Sequence, residues 1–243
     1  MTTTYDIPGR DGFAQLLKGW QINSIVNLQT GQPWLVSDSG FNFSGSGEGA
    51  DRWDFFGNPS DFKSGPLTIP HCSGFGVDAS GKATTGGVTC TQTSQFNTVN
   101  LPASLGTLCA TDAPDPKTLA TGGCYVSVNG KSVMTPPLAG TFGTMGRNLF
   151  RDLGFRNWDL SVFKNFTFRE RFSAQFRVEV FNVLNHPLFA NPYGASAAWL
   201  NGIDPSVPGT FGAAGGTPDV AAGNNLIGSG SARVLQLGLK LKF

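Results

Sequence analysis

The chain ends in RVLQLGLKLKF, residues 233–243, where apolar and polar residues alternate strictly. Leu235, Leu237, Leu239, Leu241 and Phe243 fall on one face, and Gln236, Gly238, Lys240 and Lys242 on the other. A period of two fits an extended strand, whose successive side chains point to opposite faces. Three further segments repeat the pattern. From Trp20, the residues Trp20, Ile22, Ser24, Val26 and Leu28 oppose Gln21, Asn23, Ile25, Asn27 and Gln29. In residues 157–166, Trp158, Leu160, Val162 and Phe166 oppose Asn157, Asp159, Ser161 and Asn165. Lys164 breaks the apolar side there, and Phe163 the polar side. From Arg171 onward, Phe172, Ala174, Phe176, Val178 and Val180 oppose Arg171, Ser173, Gln175, Arg177 and Glu179. Strands are therefore expected near 20–29, 156–166, 171–183 and 232–243, with a possible strand end at Thr3 to Ile7.

Each apolar face lasts about nine to eleven residues, the length a tilted strand needs to cross a bilayer. Soluble strands average roughly five or six residues. The polar faces carry Asn157, Asp159 and Ser161 on one strand and Gln175, Arg177 and Glu179 on the next, which suits a wide, wet or plugged lumen better than a packed core. A half-exposed sheet in a soluble protein gives the same alternation, but four long strands of one type favour the membrane. The expected fold class is all-β, built of antiparallel transmembrane β-barrel strands.

The connections point the same way. Links before Trp20 and between Phe166 and Phe172 are short, whereas long loops are expected near 31–153 and 185–231. Outer-membrane barrels alternate short periplasmic turns with long extracellular loops. This parity puts Trp20 and Phe243 at the periplasmic side. Trp20, Phe166, Phe168, Phe172 and Phe243 gather at that end, as an interfacial girdle would. Lys164 falls near it, where its ammonium is expected to snorkel to the interface. At the bilayer midplane a lysine would cost about 2–4 kcal/mol.

Composition excludes several alternatives. Only 14% of residues are charged and the net charge is +1, with no basic run. Nucleic acid is therefore not an expected partner, because phosphate binding needs a concentrated basic face. No apolar stretch approaches the ~18 residues of a spanning helix. Nothing after Met1 resembles a signal peptide, so an exported protein is expected to have lost its N-terminus or to extend beyond this chain. Cys72, Cys90, Cys109 and Cys124 lie in one Gly/Thr/Pro-rich stretch without a C-x-x-C pair. That spacing argues against zinc and for two disulfides in an oxidising compartment, with all three pairings open.

Catalytic chemistry was sought and no candidate set emerges. His71 and His186 read as loop residues, and no histidine is paired with a nucleophile in the sequence. Asp51, Asp54 and Asp61 lack the alternating oxygen ligands of a calcium loop. No glycine motif cradles phosphate before a helix. Neither an enzyme, nor a cofactor, nor a metal site is expected.

Three blocks carry a family resemblance. Phe243 with its preceding leucines resembles the terminal signal read by the outer-membrane barrel assembly machinery. Residues 140–189 resemble the late barrel strands of TonB-dependent outer-membrane transporters, most closely the Oar-like group. The matching pieces are Gly146, Arg147 and Asn148, then Asn157, Asp159, Leu160 and Ser161, then Lys164 and Asn165. They continue through Glu170, Arg171, Gln175, Phe176, Arg177, Glu179, Phe181, Asn182, Asn185, His186 and Pro187, and later Phe211, Gly212, Arg233 and Gln236. YDIP at residues 5–8 and GWQINSIVNLQTGQPW at 19–34 are similar to an earlier strand pair of that group. Leu153 departs from it, where a proline is usual.

The resemblance covers about half of the chain and leaves the cysteine stretch unmatched. It implies the C-terminal fragment of a 22-stranded barrel, with plug and N-terminal domains absent. It further implies energised uptake of an unknown substrate, with the TonB complex, the assembly machinery, the lipid bilayer and an unknown extracellular ligand as partners. A surface-binding or adhesive module using the disulfide-containing loop is the alternative, and a secreted β-sandwich a weaker one. Asn182, Asn185 and Pro187 are expected to end a strand and open a loop, and Arg147 to pair with a carboxylate such as Asp159.

Overall fold

The computed structural model describes residues 1–10, 15–94, 96–168, 172–192, 202–214, 216–217, 230 and 232–243. The motif residues Glu170 and Arg171 lie outside the described residues. The chain divides into two compact units: 1–30, 154–188 and 224–243 form the first, and 31–153 with 189–223 form the second.

The first unit is a five-stranded antiparallel sheet. Its strands are β1 (Thr2–Ile7), β2 (Trp20–Gln29), β3 (Phe155–Phe168), β4 (Phe172–Phe181) and β5 (Val234–Lys242), paired in that order. The register keeps the two faces distinct across every strand. One row reads Tyr5, Ile22, Val162, Val178 and Leu237. The next reads Ile7, Trp20, Lys164, Phe176 and Leu239. On the other face lie Thr4, Asn23, Ser161, Glu179 and Gln236, followed by Asp6, Gln21, Phe163, Arg177 and Gly238. Because the side-chain period is two, slipping any strand by one residue would put its apolar set on the polar face, and this fixes the pairing.

The apolar face is open. Leu235, Leu237 and Leu239 are 62%, 62% and 68% exposed, and Tyr5, Leu28 and Phe176 are exposed beside them. Ser24 interrupts this face, and its hydroxyl accepts the Trp158 indole N–H at 2.9 Å, which lowers the cost of a polar group there. The sheet is open at β1 and β5; the described strands do not close into a barrel.

The second unit is built from the two long excursions between strands of the sheet. Residues 31–153 and 189–223 fold together around an aromatic core of their own. Trp34, Trp53, Phe62, Tyr125, Phe150 and Phe211 are all almost fully buried. Phe211, from the second excursion, packs at 4.4 Å from Tyr125 and 5.7 Å from Trp34, both from the first. A six-stranded sheet runs in the order Asp54–Phe56, Val133–Thr135, Cys124–Val126, His71–Ser73, Thr89–Thr93 and Thr98–Leu101. Two seven-residue helices follow its last strand, α1 (Gly106–Asp112) and α2 (Pro116–Gly122). Asp115 caps α2 by accepting the Lys117 N–H, with Pro116 at the first helical position, where a missing N–H costs nothing.

Topology links the two units. Gln29 at the end of β2 pairs with Phe155 at the start of β3, and Phe181 at the end of β4 pairs with Val234 at the start of β5. Both excursions therefore leave and re-enter the sheet at the same end.

Candidate functional site

The polar face of the sheet gathers Asn157, Asp159, Ser161, Gln175, Arg177 and Glu179, together with Lys240 of β5. The Gln175 amide donates to the Asn165 side chain at 2.8 Å, across the β3–β4 pair. Phe163, the aromatic break in the polar pattern, has a partner: the Arg177 guanidinium lies over its ring at 5.9 Å. Gly238 sits directly opposite Arg177, and a Cβ there would come within 3.2 Å of Arg177 Cγ. The bare glycine lets the arginine lie flat across the strand.

The expected Arg147–Asp159 pair is not what engages Asp159. Its carboxylate accepts both contacts from the Asn157 amide, at 3.0 and 2.9 Å, and the backbone N–H of Asn182 at 2.8 Å. Gly146, Arg147 and Asn148 lie on the surface of the second unit, Asn148 with φ of 54°. Asn182 and Asn185 take φ of 51° and 50°, a conformation that asparagine tolerates better than most residues. The buried Asn182 side chain donates to the carbonyl of His186 at 3.1 Å and accepts its N–H at 3.3 Å. Asn185 accepts the N–H of Arg233 at 3.1 Å, which ties the end of β4 to the start of β5. His186 and Pro187 are exposed in this turn.

Lys164 does not snorkel. It is only 3% exposed, and its ammonium donates to the backbone carbonyls of Gln15, Leu16 and Lys18. The rings of Trp20 and Phe166 lie 5.1 and 4.9 Å from Nζ. Residues 15–19, just before β2, fold over the apolar face and bring those carbonyls to the charge. Sequence reasoning missed this because the acceptors are main-chain atoms, which leave no mark in residue types. The aromatic cluster at this end is a chain of ring contacts: Phe166 to Phe168, Phe168 to Phe172, and Phe172 to Phe243 at 5.4 Å.

In the second unit, Cys72 pairs with Cys90 and Cys109 with Cys124, and all four are 0–1% exposed. Cys72 and Cys90 face each other on adjacent strands, while the second bond ties α1 to strand Cys124–Val126. Asp51 lies in a β-bridge with Asp38, Asp54 opens the strand Asp54–Phe56 and Asp61 ends a short 3-10 helix. Asp51 accepts from Ser44, Asp54 from Thr144, and Asp61 from Ser132 and Asn129. The Ser132 hydroxyl, foremost, holds Asp61 below the usual carboxylate range. Burial raises Asp38, against the opposing hydrogen bond from the Trp53 indole at 2.6 Å. Burial also lowers His71, whose Nε2 lies 3.2 Å from the Gly122 carbonyl. It lifts Tyr125 well above its ordinary value, with Asp204 and Asp38 adding to the effect, and the phenol donates to the Pro205 carbonyl at 2.5 Å.

A cavity of about 490 Å³ opens on this unit between Lys63–Pro70 and the turn at Ser127–Asn129. Leu67, Val128 and Leu153 form apolar walls and are partly exposed. Leu153, the departure noted in the sequence, thus borders a cavity. The Gln92 and Asn129 amides on its rim already donate to the Thr68 carbonyl and the Asp61 carboxylate.

An antiparallel sheet with one open apolar face, one charged face and long strands defines a membrane-spanning β-sheet protein. Residues 1–236 match the family model of the outer membrane beta barrel domain, and the chain belongs to that family. An outer-membrane location follows. No curated protein and no solved structure matches the chain.

Proposed function

We propose that this chain forms part of the barrel of a TonB-dependent outer-membrane transporter of the Oar-like type. The observation that carries the reading is the charged face of the sheet. Asp6, Arg177, Glu179 and Lys240 share this face by register, and charged side chains suit a wide, wet or plugged lumen better than the packed interior of a narrow barrel. In hydrocarbon, the open edges of β1 and β5 need further strands, because an unpaired backbone edge costs several kcal/mol per unsatisfied group. A barrel of 22 strands around a plug meets both demands.

In this reading the end of the sheet at which both excursions leave faces outward, and Phe243 lies on the periplasmic side. The second unit supplies the surface that first meets the extracellular ligand. The TonB complex acts through a plug, and the assembly machinery reads Leu235, Leu237, Leu239, Leu241 and Phe243. The test is binding of the soluble periplasmic domain of TonB to the full-length protein in vesicles. Saturable binding that increases on adding the transported ligand is expected. Absence of TonB binding, or a stable discrete conductance from this chain alone in a planar bilayer, would overturn the proposal.

A further inference from the structure

The link between β1 and β2 has a feature that membership of an outer-membrane family does not explain. Its segment Gln15–Gly19 turns back over the apolar face and is pinned there. The Gln15 side chain donates to the Thr167 carbonyl at 2.7 Å and accepts the Thr167 N–H at 2.9 Å, reaching past β2 onto β3. The Trp20 indole donates to the Leu16 carbonyl at 2.7 Å. Gly19, at φ of 78°, lies so close to β3 that a Cβ would meet the Asn165 carbonyl oxygen at 2.5 Å. Beneath this link sits the Lys164 ammonium, which takes three of its carbonyls.

The arrangement turns two leucines outward. Leu16 and Leu17 are 55% and 52% exposed, and the Leu16 carbonyl is held by Trp20 and Lys164, two members of the row that runs Ile7, Trp20, Lys164, Phe176 and Leu239 on the apolar face. In a link lying in water, two adjacent exposed leucines would be unfavourable, and a nearby lysine would extend its charge to solvent. Here the lysine is turned inward and the leucines outward, the reverse of that order.

We infer that Gln15–Gly19 is a membrane-immersed lip. Leu16 and Leu17 extend the lipid-facing surface past the start of β2 into the acyl chains, and Lys164 serves as the internal post that holds the lip. The bilayer surface therefore lies beyond the lip and not at the level of Lys164. The occupant of this surface is the lipid leaflet, argued from continuity with the apolar face of the sheet. The inference rests on the outer-membrane family and not on TonB-dependent transport, so either can fail alone.

The native cysteines are all in disulfides, so a cysteine introduced by Leu17→Cys is the single reactive thiol of this chain. A nitroxide at this position is compared with nitroxides at Leu237→Cys, in the apolar band, and Ala79→Cys, on the second unit. The full-length protein is placed in phosphatidylcholine vesicles, and collisions with oxygen and with a water-soluble nickel chelate are measured. Position 17 is expected to match position 237, with strong oxygen relaxation and loss of the nickel effect seen at 79. Nickel collision at 17 equal to that at 79 would overturn the lip. Adding Lys164→Gln is expected to raise both label mobility and nickel access at 17. If neither changes, Lys164 is not the post.

Discussion

Removing the Cys72–Cys90 bond, as the Cys72→Ala/Cys90→Ala double variant, tests the second unit as a folded body. The bond closes a separation of 18 residues. Loop-closure entropy for that length gives about 3 kcal/mol of stabilisation. The separation of 15 closed by Cys109–Cys124 gives nearly the same value, about 3 kcal/mol. For folded units of roughly 150–250 residues, each kcal/mol moves the melting midpoint by about 2–4 °C. Loss of one bond should therefore lower the midpoint of the second unit by about 6–12 °C. The transition can be followed by tryptophan fluorescence, since Trp34 and Trp53 are buried in this unit's core. Cys72 faces both Cys90 and Cys124 on its neighbouring strands, so non-reducing peptide mapping must accompany the melt. A midpoint shift below 2 °C, on the scale of a fraction of a kcal/mol, would refute the reasoning. So would a Cys72–Cys124 peptide from the unaltered protein.

Three further outcomes are expected. Lys164→Met removes the ammonium shared by the Gln15, Leu16 and Lys18 carbonyls, of which Leu16 keeps the Trp20 indole; each carbonyl left unsatisfied costs about 1–3 kcal/mol, partly offset because no charge is then held near lipid. A net loss of about 2–4 kcal/mol in urea unfolding from vesicles is expected, and an unchanged or higher midpoint would count against the carbonyl cradle. Phe211→Ala should cost about 3–5 kcal/mol and expose residues 202–214 to protease. If cleavage is unaltered, the second excursion is not held by that ring.

His71 gives a pH dependence. Its folded pKa lies below the usual 6.5 because burial disfavours the imidazolium. The unfolded chain binds the proton first, so stability from the neutral ring is full above 6.5 and falls as pH drops through the folded value. Asp38 acts in the opposite sense. Its raised pKa gives stability that is full below 3.8 and lost as pH rises through its folded value. His71→Gln should flatten the decline of the second unit's melting midpoint just below pH 6.5, and an unchanged slope would show that another group is responsible.

What residue order alone determined is the sheet. In the four strands from Trp20, Phe155, Phe172 and Val234, alternation is a local property, and pairing carries it across neighbours without altering the face of any residue. The apolar face, the charged face and the outer-membrane β-barrel class therefore stood in the sequence, through Leu235–Phe243 and Gln175–Glu179. Tertiary structure alone decided the rest. The core of the second unit draws Trp34, Tyr125 and Phe211 from irregular positions, and no period announces that two excursions share one interior. The cysteine pairing was decided by where α1 brings Cys109, since register alone sets Cys72 opposite both Cys90 and Cys124 and four equivalent thiols encode no choice. The fate of Lys164 depended on backbone carbonyls of a link distant in sequence, and every residue has such a carbonyl. Local periodicity survives folding unchanged, whereas convergence of aperiodic residues and main-chain acceptors exists only once the chain has folded.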